Sequence, residues 1–93
     1  MIIARVTPLK TIDIAGGGIR VECEVSPRPA RRWLDAFTMY EDDAFGYFTS
    51  IRISGSKLIA GSRRDADIEE LVTAIDMRIE RANLRALRRW AHG

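Results

Sequence analysis

Arg78, Arg81, Arg85, Arg88 and Arg89 recur at steps of three and four, with Glu80 as the only acid among them. On a helix that spacing makes one basic stripe, closed by Trp90. Such a stripe has the chemistry to grip phosphate or carboxylate oxygens, since a guanidinium donates two parallel hydrogen bonds. A plainer role is open to the same residues, because cations near a helix C-terminus offset the macrodipole by about 0.3–1 kcal/mol each.

Other residue types that carry chemistry are sparse. His92 is the one histidine and stands next to the last residue, where a general base is poorly positioned. Cys23 is the one cysteine, so an internal disulfide and any Cys₂ metal site are excluded. It falls on an apolar strand face and reads as a buried, inert thiol. Gly16-Gly17-Gly18 suggests a phosphate loop, but a strand follows it where the loop needs a helix N-terminus, so it reads as a hairpin tip. Glu41-Asp42-Asp43 lacks the alternating oxygen ligands of a cation loop and reads as a solvated corner. An enzyme would have to work with carboxylates such as Asp35, Glu41 or Asp76 beside Tyr40, in a domain with little room for an enclosed pocket. No catalytic, cofactor or metal residue is therefore assigned, and no small-molecule substrate is evident.

The elements that position these residues follow from periodicity. Met1 to Thr7 alternates loosely, Pro8 interrupts, and Thr11 to Ile14 resumes as a strand. Ile19, Val21, Cys23 and Val25 alternate with Arg20, Glu22 and Glu24, which predicts a strand with one apolar and one charged face. The two segments form a hairpin at the glycines. Pro27 or Pro29 opens a helix whose stripe is Ala30, Trp33, Leu34, Phe37 and Met39 or Tyr40. The acids at 41–43 should end it. Phe45 to Ile53 and Lys57 to Gly61 predict a second hairpin around Ser54-Gly55-Ser56. Asp67 with Glu70 forms a capping-box signal for a last helix from Asp67 to Trp90, buried through Ile68, Leu71, Val72, Ile75, Ile79, Ala82 and Ala86.

The order β-β-α-β-β-α predicts an α+β fold: one four-stranded, mainly antiparallel sheet with two helices packed on one face. The outer face should show Arg20, Glu22 and Glu24 beside Arg52 or Ser50, according to register. Ninety-three residues, 46% apolar and 30% charged, suit one core and leave no room for two independent domains, so residues 1–93 are taken as one domain. Fifteen basic against thirteen acidic residues demand no polyanionic partner. No apolar run spans a bilayer and no signal peptide opens the chain, so the expectation is a cytoplasmic protein with no membrane partner.

A helix from Asp67 to Trp90 would be about 36 Å long, against roughly 20 Å for strands of five or six residues. It should overhang its sheet by two or three turns. Leu84, Leu87 and Trp90, off the buried stripe, would then seek a partner. The expected function is a small non-enzymatic binding protein of the inhibitor, immunity or accessory kind. Its contact residues would be Arg78, Arg81, Leu84, Arg85, Leu87, Arg88, Arg89 and Trp90, with Arg31 and Arg32 nearby. The partner is another protein or a second copy forming a homodimer. The alternative is nucleic-acid binding through the same stripe.

Overall fold

A computed structural model describes residues 2–14, 16–38, 48–63 and 65–91, with the side chains of residues 38 and 89–91 outside that set. The fold is α+β, as the periodicities predict. Its elements run β1 (Ala4–Arg5), β2 (Lys10–Ile14), β3 (Gly18–Ser26), α1 (Arg31–Thr38), β4 (Phe48–Ser54), β5 (Lys57–Arg63) and α2 (Ile68–Ala91).

The sheet is antiparallel in every pairing, and β3 and β5 are its central strands. It has five strands where four are expected, because the first is broken. β1 and β2 both pair with the same edge of β3, β1 against its end and β2 against its start. Pro8 lies in the gap and has no N–H to give a ladder. The break is bridged locally: Val6 N–H donates to the Glu24 carbonyl (2.9 Å), and Glu24 N–H donates to the Thr7 hydroxyl (2.8 Å). A side-chain oxygen thus replaces a strand carbonyl there.

Two of the three glycines at the first hairpin, Gly16 and Gly17, adopt φ of 98° and 89°, the left-handed region that side chains avoid. The helix ends obey equally local rules. Leu34 N–H donates to the Ala30 carbonyl, so Ala30 is the cap and α1 starts two residues after Pro29 rather than on it. The Asp67 carboxylate accepts from Glu69 N–H at 3.1 Å and caps α2. The expected end of α1 at Glu41–Asp43, the residues Met39 and Tyr40, the start of β4 at Phe45, and His92 lie outside the described residues.

One face of the sheet is apolar and carries both helices. Ile19, Val21, Cys23 and Val25 from β3 stand beside Leu58 and Ala60 from β5. Trp33 and Phe37 of α1 and Leu71, Ile75, Ile79 and Ala82 of α2 complete the cluster. Five of these, Val21, Leu58, Ala60, Leu71 and Ile75, have no exposed surface. A fully buried Leu or Ile contributes about 2–3 kcal/mol, so the two alternating strands and the α2 stripe supply most of the stabilisation. The molecule measures 45 × 23 × 20 Å, elongated as a 24-residue helix requires. No helix among the described residues is long and apolar enough to cross a membrane.

Cys23 lies in this cluster, and burial pushes its thiol up to about 11, with nearby Arg5 opposing the rise and Asp76 adding to it. In the unfolded chain the thiol ionises near 9. Between those two values the folded state holds a proton that the unfolded state has lost, so stability falls as pH rises. Denaturant titrations at pH 8 and pH 11 should show about 2 kcal/mol lost through this group, and Cys23→Ala should flatten the slope by that amount. Thiol labelling at pH 8 should proceed only through opening of the fold. Rapid native labelling would contradict the burial.

Candidate interaction surface on the second helix

The outward face of α2 begins with its position in the core. Leu71, Ile75, Ile79 and Ala82 form the buried stripe, and Ala86 still packs against the cluster. The overhang is therefore shorter than the lengths alone predict: five helical residues, about one and a half turns, follow Ala86. Leu84 is nonetheless 54% exposed and Leu87 62% exposed. Direction around the helix is the reason. Leu84 is two residues from both Ala82 and Ala86, about 200° of rotation, so it points away from the sheet at a level where the helix is still packed. Leu87 is about 60° from Leu84; Arg81 and Arg88 lie about 20° apart on one side of the pair, and exposed Glu80 lies one turn before Leu84 in a direction between the two leucines.

The arginines divide. Arg81 and Arg88 are exposed and share the outward face with the leucines. Arg78 does not belong to an exposed stripe: it is half-buried, with its guanidinium carbon 5.2 Å from the centre of the Phe37 ring. Arg85 is also half-buried. A stripe at steps of three and four drifts around a helix of 3.6 residues per turn, so Arg78 and Arg85 fall at the margin of the buried stripe while Arg81 and Arg88 fall outside it. Arg89 and Trp90 occupy the last turns of α2, and their side chains lie outside the described set. Arg31 and Arg32 are exposed on α1.

Two features behind this face escape the periodicity. Asn83 joins three parts of the chain. Its Oδ1 accepts from Ile3 N–H (2.9 Å) and from Trp33 Nε1 (2.8 Å), and its Nδ2 donates to the Ile3 carbonyl (2.8 Å). One amide thus pairs with the N-terminal segment as a neighbouring strand would, and satisfies the indole of a buried Trp. Below it, Arg5 makes a two-pronged bond to the Asp76 carboxylate (2.9 and 3.2 Å) and donates to the Thr7 carbonyl (2.8 Å). The hydrogen bond that Arg5 donates to Asp76 holds its guanidinium pKa above the ordinary value. Asp76 is close to half exposed, so solvent screens this pair and its contribution is small. The only sequence signal for Asn83 was an amide in the middle of a helix.

Among the described residues no three of His, Cys, Asp and Glu gather as metal ligands. What the α2 face offers is an exposed apolar pair with two arginines along one margin and Glu80 beside it, on a helix held in the core. Comparison with models of protein families, with curated proteins and with solved structures finds no match to this chain.

Proposed function

We propose that this domain is a non-enzymatic binding protein of the cytoplasm that docks an acidic protein surface onto the outward face of α2. The observation that carries the reading is the exposure of Leu84 and Leu87, side by side with Arg81 and Arg88 along one margin and only Glu80 as an acid beside them, on a helix whose opposite side is fixed in the core. Apolar anchors ringed by charge are the usual anatomy of a contact surface. Two copies meeting through this patch would set Arg81 and Arg88 of one against those of the other. The favoured partner therefore presents carboxylates around an apolar centre. Inhibitor, immunity and accessory proteins work in this way, by occupying a surface.

The second reading, nucleic-acid binding by the same helix, has less support. Arg78 lies against Phe37 and Arg85 is half-buried, which removes two of the five cations from a phosphate-facing row.

Replacing Leu84 and Leu87 together by Gln tests the proposal. Both sites are exposed, so stability should change by no more than about 0.5 kcal/mol each. The wild type should retain a partner that the double variant loses, with retention weakening as salt rises. Equal retention by both proteins, or none by either, would overturn the proposal. A dimer in light scattering that the double variant abolishes would assign the face to self-association instead. Binding of duplex or single-stranded DNA that collapses from ~50 mM to physiological salt and weakens in Arg88→Ala would favour the second reading.

A further inference from the structure

The sheet face turned away from the helices carries a second, different arrangement. Register places its side chains in rows. Arg20 of β3 and Ser50 of β4 lie on either side of Gly61 of β5. Glu22 and Arg52 lie on either side of Ile59 in the next row. Ile14 borders the area from β2 and is 45% exposed. Ile14, Arg20, Ser50, Arg52, Ile59 and Gly61 line a shallow hollow of about 380 Å³, with Glu22 beside it. That is within the size range of small-ligand pockets.

At Gly61 its floor carries hydroxyls where a side chain would stand, for a structural reason. A Cβ on Gly61 would stand 2.9 Å from Thr49 Oγ1 and 3.1 Å from Ser50 Oγ. The register shift in β4 between Phe48 and Ser50 inserts Thr49 there, and such a bulge re-aims side chains. Both hydroxyls thus crowd over the glycine.

The charge of this face is one-sided. Lys10, Arg20, Arg52, Lys57 and Arg63 stand on it against Glu22 and Glu24. Glu22 is engaged by Arg20 at 3.6 Å and by Lys57 at 3.9 Å. Arg52 has no ion pair among the described residues. β3 and β4 flank β5, so their backbones are about 10 Å apart, and Arg20 and Arg52 both line the space between. One carboxylate is satisfied by one guanidinium. A phosphate monoester, with three terminal oxygens and nearly two charges, can take two.

We propose that this hollow is a binding site, separate from α2, for a small organic phosphate. The phosphate lies between Arg20, Arg52 and the Ser50 hydroxyl, and a flat or apolar body rests against Ile14 and Ile59.

Titration of the ¹⁵N-labelled protein with adenosine 5′-monophosphate, phenyl phosphate, inorganic phosphate and adenosine tests it. The expected result is saturable shifts of the Ser50, Ile59 and Gly61 amides with one or both organic phosphates. Inorganic phosphate should bind at least tenfold more weakly, and adenosine should leave the amides unmoved. A response to the adenosine ester alone identifies a nucleotide site, and equal responses to both esters a broader phosphate-ester site. Arg52→Ala should weaken binding at least tenfold, Glu22→Gln should strengthen it a few-fold, and Arg81→Ala should leave it unchanged. Shifts confined to α2, equal binding of inorganic phosphate, indifference to Arg52→Ala, or no shift with either ester would overturn the proposal. Loss of partner docking in the Leu84 and Leu87 variant bears on α2 alone, so the two proposals fail independently.

Discussion

Asn83→Ala should cost about 2–4 kcal/mol and lower Tm by at least about 10 °C, although Ala is the better helix former. Three hydrogen bonds go at once, from Ile3 N–H, to the Ile3 carbonyl and from Trp33 Nε1. Ile3 is only 1% exposed, so its N–H and carbonyl reach water only if the whole segment lifts. The Trp33 indole has no such recourse, because Trp33 is buried, and an orphaned buried donor costs about 1–3 kcal/mol. Asn83→Asp keeps the acceptor for Ile3 and Trp33 but sets a carboxylate oxygen against the Ile3 carbonyl, so its loss should be intermediate. Trp33→Phe in the Asn83→Ala background should cost less than in the wild type, because the N–H it removes is already unpaired. Chemical denaturation of the four proteins checks the series. A stability change of Asn83→Ala within about 0.5 kcal/mol, the range of an ordinary surface substitution, would show that the amide is not a structural joint. The amide hydrogen of Ile3 should also exchange faster in that variant than the core strands do.

Phe37→Ala carries the other large expectation, a loss of about 3–5 kcal/mol. Phe37 is among the most buried side chains, stacks on Trp33 with ring centres 5.4 Å apart and planes at 16°, and lies beneath the Arg78 guanidinium at 5.2 Å. Its removal opens a cavity between α1 and α2 and strips one face of Trp33. Phe37→Leu keeps much of the volume but loses the ring contacts, and should cost about 1–2 kcal/mol. A double-mutant cycle with Arg78→Ala isolates the cation–ring contact, with a coupling of about 0.5–1 kcal/mol expected. Zero coupling would mean that Arg78 merely covers the ring. The cycle also bears on function, since an arginine held over Phe37 is lost to any partner at the α2 surface.

The amino-acid pattern by itself determined the periodic parts of this protein. The alternation from Ile19 to Val25 fixed which face of β3 is apolar, because successive strand residues point to opposite sides. The three-four spacing from Leu71 to Ala82 fixed the buried side of α2, and Asp67 marked its start. Leu84 and Leu87 lie off that stripe, and this too was legible, although their exposure comes from direction around the helix more than from overhang. Only the tertiary structure decided what depends on pairing between distant segments. Pro8 signalled a break, but not that both fragments would return to one edge of β3. Nothing local says that Asn83 meets Ile3, eighty residues away, or that Arg78 settles on Phe37. The hollow on the outer sheet face exists because β5 lies between β3 and β4 in one register, bringing Arg20 and Arg52 to either side of the Gly61 and Ile59 rows. Period-two patterning states which face a residue takes, while its neighbours across the strand are set by long-range packing that no short window of sequence contains.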